Sequence, residues 1–315
     1  MVEHGVQGLS TSGNEMPSLT ETPMTRPLST HQGLFRSTDG TSIYYEVRGE
    51  GRPLIFCYGL VCEMAHWRHQ IEHLAPHYQV IAFDYRGHHR SSLPTNDRNL
   101  TLSWCARDIE ALIQHLNLKE VLCLGHSMGV PVLSHLAQGG ISQLKGLVFV
   151  CGSNRNPFQH MFNSDKMLKV HRVGSLLYNI SPNLVSKTWR LLTQENGIGY
   201  FITSQFGFNP RLSQKKDILM YMRSVNRVPF WVFESLIRDY SQFEGDKLLK
   251  SIQCPTLVIA GEEDLITPVH IQEEMARLIK NCRLVRIPGG SHNAHMDRPN
   301  IVNDEIDVFL RSLNY

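Results

Sequence analysis

Residues 121–129 read Val-Leu-Cys-Leu-Gly-His-Ser-Met-Gly, and this stretch decides the fold. Its four leading apolar residues predict a short buried strand, and a helix is expected directly after Ser127. A strand that turns at once into a helix strains the residue at the turn, and a glycine on each side leaves room for so close a turn. The Ser127 hydroxyl then stands at a helix N-terminus, where backbone N–H groups favour negative charge. G-x-S-x-G in this setting predicts a nucleophilic serine.

Short apolar runs alternate with helical patterns on both sides of this stretch. The runs cover residues 53–57, 79–83, 120–124, 146–150, 255–260 and 283–287. Continuous Val/Ile/Leu-rich runs are typical of parallel strands that are buried on both faces. Before them, the alternating residues 42–47 follow an Asp39-Gly40 turn, which predicts a β-hairpin with residues 34–36. We therefore expect an α/β fold with a mostly parallel sheet and helices on both faces.

The chain divides into a tail, a core and an insert. Residues 1–33 are rich in Ser, Thr, Gly, Pro and Met without periodicity, which predicts a flexible N-terminal tail. Residues 34–152 and 251–315 form the predicted core. Residues 153–250 form a predicted helical cap inserted after the sixth strand.

Three sites in the insert resemble helix starts. Ser181-Pro182 and Asn209-Pro210 each offer an N-cap followed by proline at the first helical position, and Val228-Pro229 begins a third helix. The insert carries 14 of the 27 aromatic residues. Two interpretations stay open: these aromatics form the core of the cap itself, or they roof an apolar pocket. Periodicity alone does not separate the two.

Composition excludes several classes of protein. The chain has 42% hydrophobic and 19% charged residues, a composition that excludes a disordered or fibrous protein. Its net charge of +2 does not indicate a protein that binds nucleic acid or an acidic membrane through an overall positive charge. No run of 18 apolar residues predicts a membrane span. The seven cysteines include no CxxC pair, and we interpret Cys57, Cys123 and Cys151, which lie in or at the end of apolar runs, as buried small hydrophobic residues. No signal-peptide pattern begins the chain, and a cytoplasmic location is expected.

A serine nucleophile needs a base and a group that orients the base. In proteins whose G-x-S-x-G motif stands between a strand and a helix, the order along the chain is serine, acid, histidine. Asp264 follows the predicted strand 255–260 and is the expected acid, whereas Glu262 and Glu263 are interpreted as solvated neighbours. His292 follows Gly289-Gly290 after the last strand and is the expected base. His295 is its competitor, expected to be a packed residue.

Together these residues resemble the capped, esterase-like branch of the α/β-hydrolase superfamily, from residue 34 to the C-terminus. Residues 84–91 resemble its D-x-R-G-x-G-x-S loop, with His89 in place of the usual glycine. Residues 292–299 match H-x-x-x-x-[ED]-x-P through His292, Asp297 and Pro299, which favours His292 over His295. Tyr58-Gly59 stands where the family usually has His-Gly.

The resemblance also implies an oxyanion hole and excludes some relatives. The residue after Gly59 lends its backbone N–H to the oxyanion, which implies Leu60, with the N–H of Met128 as the second donor. A dehalogenase or an epoxide hydrolase would carry aspartate at position 127. A proline iminopeptidase would show HGGPG where residues 58–62 read Tyr-Gly-Leu-Val-Cys.

The sequence thus predicts a serine hydrolase that cleaves small carboxylic esters of short to medium acyl chains. Ser127 attacks, His292 carries the proton and Asp264 orients the imidazole, and no metal or cofactor is needed. The predicted pocket residues are Trp67, Phe201, Phe206, Phe208, Trp231 and Phe233. Lactone, thioester or C–C bond hydrolysis and cofactor-free perhydrolysis remain open on the same triad, with Arg190 a candidate cap group for C–C chemistry. A ligand-binding protein that reuses the fold is the other open class.

Overall fold

The computed structural model describes residue 1 and residues 30–315, and an eight-stranded sheet forms its centre. The strands are β1 (Thr30–Arg36), β2 (Ser42–Arg48), β3 (Pro53–Cys57), β4 (Gln79–Phe83), β5 (Val121–His126), β6 (Leu144–Val150), β7 (Thr256–Gly261) and β8 (Cys282–Ile287). Their order in the sheet is β1-β2-β4-β3-β5-β6-β7-β8. Among the strands of the described residues, only the β1–β2 and β2–β4 pairings are antiparallel. The predicted mostly parallel sheet is confirmed.

Helices cover the sheet and form the insert. The core helices are α1 (Arg68–Leu74), α2 (Leu102–His115), α3 (Gly129–Gln138), α10 (Val269–Leu278), α11 (Ala294–Asp297) and α12 (Pro299–Ser312). Between β6 and β7 lie α4 (Lys166–Ile180), α5 (Pro182–Thr193), α6 (Gly197–Phe206), α7 (Lys215–Arg227), α8 (Phe230–Ser241) and α9 (Asp246–Ser251). Every residue of β3, β5 and β7 is buried, because both faces of the central strands are covered.

Two local predictions were wrong. The first strand of the hairpin begins at Thr30 rather than at residue 34, because β2 continues to Arg48 and pairs there with Thr30. Residues 30–33 are therefore strand, while residues 2–29 of the predicted tail lie outside the described residues. Asn209-Pro210 begins no helix, because the Asn209 side chain bonds the Arg211 N–H and the carbonyl of Gly289 in a turn. The helix starts at Pro182 and after Pro229 are confirmed.

The C-terminal residue is fastened to the amino end of the sheet. The Tyr315 hydroxyl donates to the carbonyl of Pro53, the first residue of β3, over 2.7 Å. Its ring lies nearly parallel to that of Tyr78, which precedes β4. Tyr315 thus sits at the edge of the sheet where the parallel strands begin.

Candidate active site

Ser127 lies at the turn between β5 and α3. Its φ of 52° is in the left-handed region, which strains a residue with a side chain. The flanking glycines are needed for space: a Cβ on Gly125 would lie 2.8 Å from the Gly129 carbonyl, and one on Gly129 would lie 2.6 Å from the carbonyl oxygen of Cys57. The Ser127 N–H donates to the Val150 carbonyl over 3.0 Å, which ties the turn to β6.

Three predicted residues meet at this turn. The His292 Nε2 lies 2.9 Å from the Ser127 Oγ. On the other side of the ring, Nδ1 lies 3.1 Å from Oδ2 and 3.2 Å from Oδ1 of Asp264. Both Asp264 and His292 are buried. This is the geometry of a nucleophile, a base and a group that orients the base.

The carboxylate of Asp264 is held by the turn that follows it. The backbone N–H groups of Ile266 and Thr267 each donate to Oδ1 over 2.8 Å, and the Thr267 hydroxyl donates to Oδ2 over 2.7 Å. These three donors fix the orientation of the carboxylate beside His292. Glu262 and Glu263 are exposed, as interpreted from the sequence.

The loop of His292 is clamped by Asp297. The Asp297 Oδ2 accepts hydrogen bonds from the N–H and the hydroxyl of Ser291, the residue before His292. From the cap, the N–H of Asn209 donates to Oδ1 of Asp297. Burial raises the pKa of Asp297, although these hydrogen bonds oppose the rise. The H-x-x-x-x-[ED]-x-P pattern therefore has a physical role: its acid fixes the histidine loop.

Leu60 lines the same cavity as Ser127, and Met128 directly follows Ser127 in the chain. Among the described residues, no hydrogen bond uses the backbone N–H of either one, so both remain available to a substrate oxygen. Tyr58, at the usual histidine position, accepts a 2.9 Å hydrogen bond from the Tyr85 N–H through its hydroxyl. That bond anchors the loop to the segment after β4.

His89 supplies a second anchor at the position where the family has glycine. The φ of His89 is 43°, in the left-handed region that glycine adopts without strain. Because His89 has a Cβ, its backbone is strained there. In return, His89 Nε2 lies 2.7 Å from the Cys62 carbonyl oxygen, in the loop that follows Leu60. The loop thus gains a contact that glycine could not make.

Buried rings lie behind the nucleophile. His126 places Nε2 2.9 Å from the carbonyl oxygen of His292, and its ring centre lies 4.4 Å from that of His295. Trp67 packs against His295 at 4.7 Å. Neither ring nitrogen of His295 has a partner within the described chain, and burial lowers its pKa well below 6.5. Among the described residues, no hydrogen bond joins His295 to Ser127 or to Asp264. His295 is a packed residue.

A cavity of about 280 Å³ opens on Ser127 and His292. Of the predicted pocket residues, Phe206 and Phe233 line it. The other four predictions were wrong. Trp67 is fully buried, and Phe208 belongs to a second hydrophobic cluster formed by cap residues and Met296 of α11. Phe201 is 62% exposed, and Trp231 packs on the main core. Arg190 is exposed and lies outside the lining.

Sequence reasoning missed several wall residues. Phe158, Met161, Trp189, Tyr221, Ile237 and Tyr240 also line the cavity. A signal was available: Phe233, Ile237 and Tyr240 are spaced four and three residues apart, which places them on one face of α8. Ile202 and Phe206 on α6, and Tyr221 and Val225 on α7, show the same spacing of four.

Comparison with known proteins identifies the family. A family model described as the alpha/beta hydrolase fold matches residues 52–299. The chain belongs to the α/β-hydrolase family. This hydrolase is 27% identical to a non-heme haloperoxidase of Rhodococcus erythropolis, across 88% of the chain and 98% of that protein.

Solved structures share the fold. An esterase from Thermogutta terrifontis superposes with a TM-score of 0.70 at 23% identity, covering 90% of this hydrolase and all of that chain. A bromoperoxidase from Bacillus anthracis superposes with a TM-score of 0.74 at 21% identity, covering 89% of this hydrolase and all of that chain. The predicted fold and the resemblance to α/β-hydrolases are confirmed.

A larger cavity of about 840 Å³ in this hydrolase lies elsewhere, with Glu46, Arg68 and Arg90 among its lining residues, and includes no member of the triad. Among the described residues, no group of three His, Cys, Asp or Glu side chains is arranged to hold a metal ion. The helices of the described segments are all too short or too polar to cross a bilayer.

Proposed function

We propose that this α/β-hydrolase is a serine hydrolase that cleaves carboxylic esters of short to medium acyl chains. One observation carries the proposal: a continuous relay runs from the Ser127 Oγ through both nitrogens of His292 to Asp264. A ligand-binding protein has no need of such a relay. The cavity beside it has mostly aromatic and aliphatic walls, which suit an acyl chain.

In the proposed reaction, the Ser127 Oγ attacks the acyl carbon while His292 Nε2 takes its proton. The backbone N–H groups of Leu60 and Met128 stabilise the oxyanion, and losing one such donor typically lowers the rate by about 100- to 1,000-fold. His292 then gives its proton to the leaving alcohol. Water, deprotonated by His292, releases the acid from the acyl-enzyme.

A series of p-nitrophenyl esters from acetate to palmitate tests this function. We expect multiple turnovers that are abolished in Ser127→Ala, and labelling of Ser127 by a fluorophosphonate probe. Ser134→Ala is the matched control, because Ser134 is also buried but donates to the Val130 carbonyl within α3. At most one slow turnover by the parent protein would instead identify a receptor, and labelling that persists in Ser127→Ala would refute the assigned nucleophile.

Perhydrolysis by the same acyl-enzyme is a second candidate, favoured by relatives that are named haloperoxidase and bromoperoxidase. Here hydrogen peroxide replaces water as the attacking group and the product is a peracid. With acetic acid as the acyl donor, acylation of Ser127 releases water, and hydrogen peroxide then takes the acyl group to give peracetic acid. Its formation, measured in the parent protein and in Ser127→Ala, distinguishes this activity from ester hydrolysis alone.

A further inference from the structure

The cap exposes an unusual amount of apolar surface. Of the 17 large hydrophobic side chains exposed among the described residues, 12 lie on α4, α5 and α6. We name these the apolar cap face: Val170, Val173, Leu176, Leu177, Ile180, Leu184, Leu191, Leu192, Ile198, Phe201, Ile202 and Phe206. Helix α4 packs against α5 and α5 against α6, so the three helices form one surface. Contiguous exposed apolar surface of this kind marks an interaction site.

The face on α4 follows helical spacing. Val170, Val173, Leu177 and Ile180 are three, four and three residues apart, and each is more than half exposed. Residues at this spacing project from one side of a helix. The stripe is therefore a continuous outward ridge, and no described residue of the α4 helix is buried.

The charges on α4 and α5 are all of one sign. Residues 166–194 contain Lys166, Lys169, Arg172, Lys187 and Arg190 but no aspartate or glutamate. All five are exposed, and no ion pair among the described residues uses them. The net charge of +2 for the whole chain hides this local excess.

These cations stand beside the apolar side chains. Lys169 precedes Val173, and Arg172 precedes Leu176, by one helical turn. Lysine and arginine can lay their aliphatic stems along apolar surface while their charged ends reach polar groups. Helices with this combination of residues lie in the interface of a bilayer.

The face also reaches the active-site cavity. Ile202 and Phe206 are exposed members of the apolar cap face, and both line the cavity on Ser127. The exposed apolar surface of α6 is therefore continuous with the wall of the cavity at these two residues.

We propose that the apolar cap face binds the surface of an anionic lipid bilayer. The apolar side chains of α4, α5 and α6 enter the boundary between headgroups and acyl chains, and the five cations of α4 and α5 face lipid phosphates. Charge complementarity favours a bilayer over a second copy of the chain. Two copies joined through this face would bring two cationic surfaces together. Of the two carboxylates that flank residues 166–194, Glu195 is already paired with Arg223, which leaves Asp165 against five cations.

Flotation of the full chain with vesicles tests the proposal. One set of vesicles is phosphatidylcholine alone, and the other contains about one third phosphatidylglycerol. We expect binding to the anionic vesicles that weakens in high salt. Lys169→Glu/Arg172→Glu should weaken partitioning by about tenfold or more, since each cation near the surface contributes separately. Val173→Ser/Leu177→Ser/Ile180→Ser should also weaken it.

The matched control is Leu93→Ser/Ile301→Ser/Val308→Ser, which removes three exposed apolar side chains outside the face. It should bind as the parent does. Melting curves and p-nitrophenyl acetate turnover, alike in all variants, show that each is folded. Equal vesicle binding by the parent and the charge-reversed variant overturns the proposal. So does a concentration-dependent dimer, seen by sedimentation and lost in the α4 triple variant, without vesicle binding.

Discussion

At the scale of single residues, two histidines three positions apart have opposite surroundings. His292 has a hydrogen-bond partner for each ring nitrogen, namely Ser127 and Asp264. His295 has none for either nitrogen and is enclosed by the rings of Trp67 and His126. One imidazole is placed to move protons, and the other fills space.

Exchange of each histidine tests this contrast. His292→Ala should lower kcat for p-nitrophenyl acetate by several orders of magnitude, because the serine loses its base. His295→Phe should change kcat far less, since it removes no hydrogen bond. Steady-state kinetics on folded variants measures both effects. The reverse ranking would mean that the wrong imidazole has been assigned as the base.

At the scale of elements, the cap uses its aromatics in two ways. Phe233 on α8 lines the cavity and stacks on Trp189 at 4.6 Å. Phe208, after α6, is 2% exposed, packs with Ile218 and Met222, and does not itself line the cavity. Its ring lies behind that of the wall residue Tyr221, at 5.4 Å. Both interpretations of the aromatic-rich insert therefore apply, each to different residues.

The two phenylalanines form a matched pair for a substitution test. Phe233→Ala should shift the preferred acyl length, because each additional buried CH₂ contributes about 0.8 kcal/mol when space is available. Phe208→Ala should change the preferred length far less than Phe233→Ala does, and should lower the free energy of unfolding by about 3–5 kcal/mol. The measurements are kcat/KM across the ester series and urea unfolding. An unchanged length profile in Phe233→Ala would contradict its role as a wall.

The elements also show why some features could be predicted from sequence and others could not. Ser127 was predictable because strand, turn and helix follow one another within nine residues. Asp264 and His292 were predictable because each follows a buried strand, and parallel strands end at one edge of the sheet. Trp67 and Phe201 were misplaced because aromatic character does not tell which side of a helix faces the core. The side of a helix that faces the core is set by packing between segments that are distant in the sequence.

At the scale of the whole molecule, four buried histidines make stability depend on pH. Burial lowers the pKa of His66 and His88 to about 3 and those of His126 and His295 well below 6.5. In the unfolded chain, each takes up a proton near its ordinary pKa of about 6.5. Below that pH the unfolded state binds more protons than the folded state, so stability falls as the pH falls.

Urea unfolding over a range of pH tests this dependence. Four histidines that stay neutral when folded should lower the free energy of unfolding by about 4 kcal/mol between pH 6.5 and about pH 5.5. His295→Phe should reduce that loss by about 1 kcal/mol. His77→Gln, a change at an exposed histidine, is the control and should leave the slope as in the parent. A flat profile in this range would show that the buried imidazoles take up protons without unfolding.

The position of Tyr315 bears on how the enzyme can be attached to a solid support. Tyr315 contacts Pro53 where the strands begin, whereas Ser127 and His292 follow the ends of their strands. A bead or an electrode coupled through Tyr315 would therefore hold the molecule with the opening of the Ser127 cavity turned outward. Coupling through Lys166 and Lys169 of α4 would turn the opening of this cavity towards the support and slow the entry of substrate.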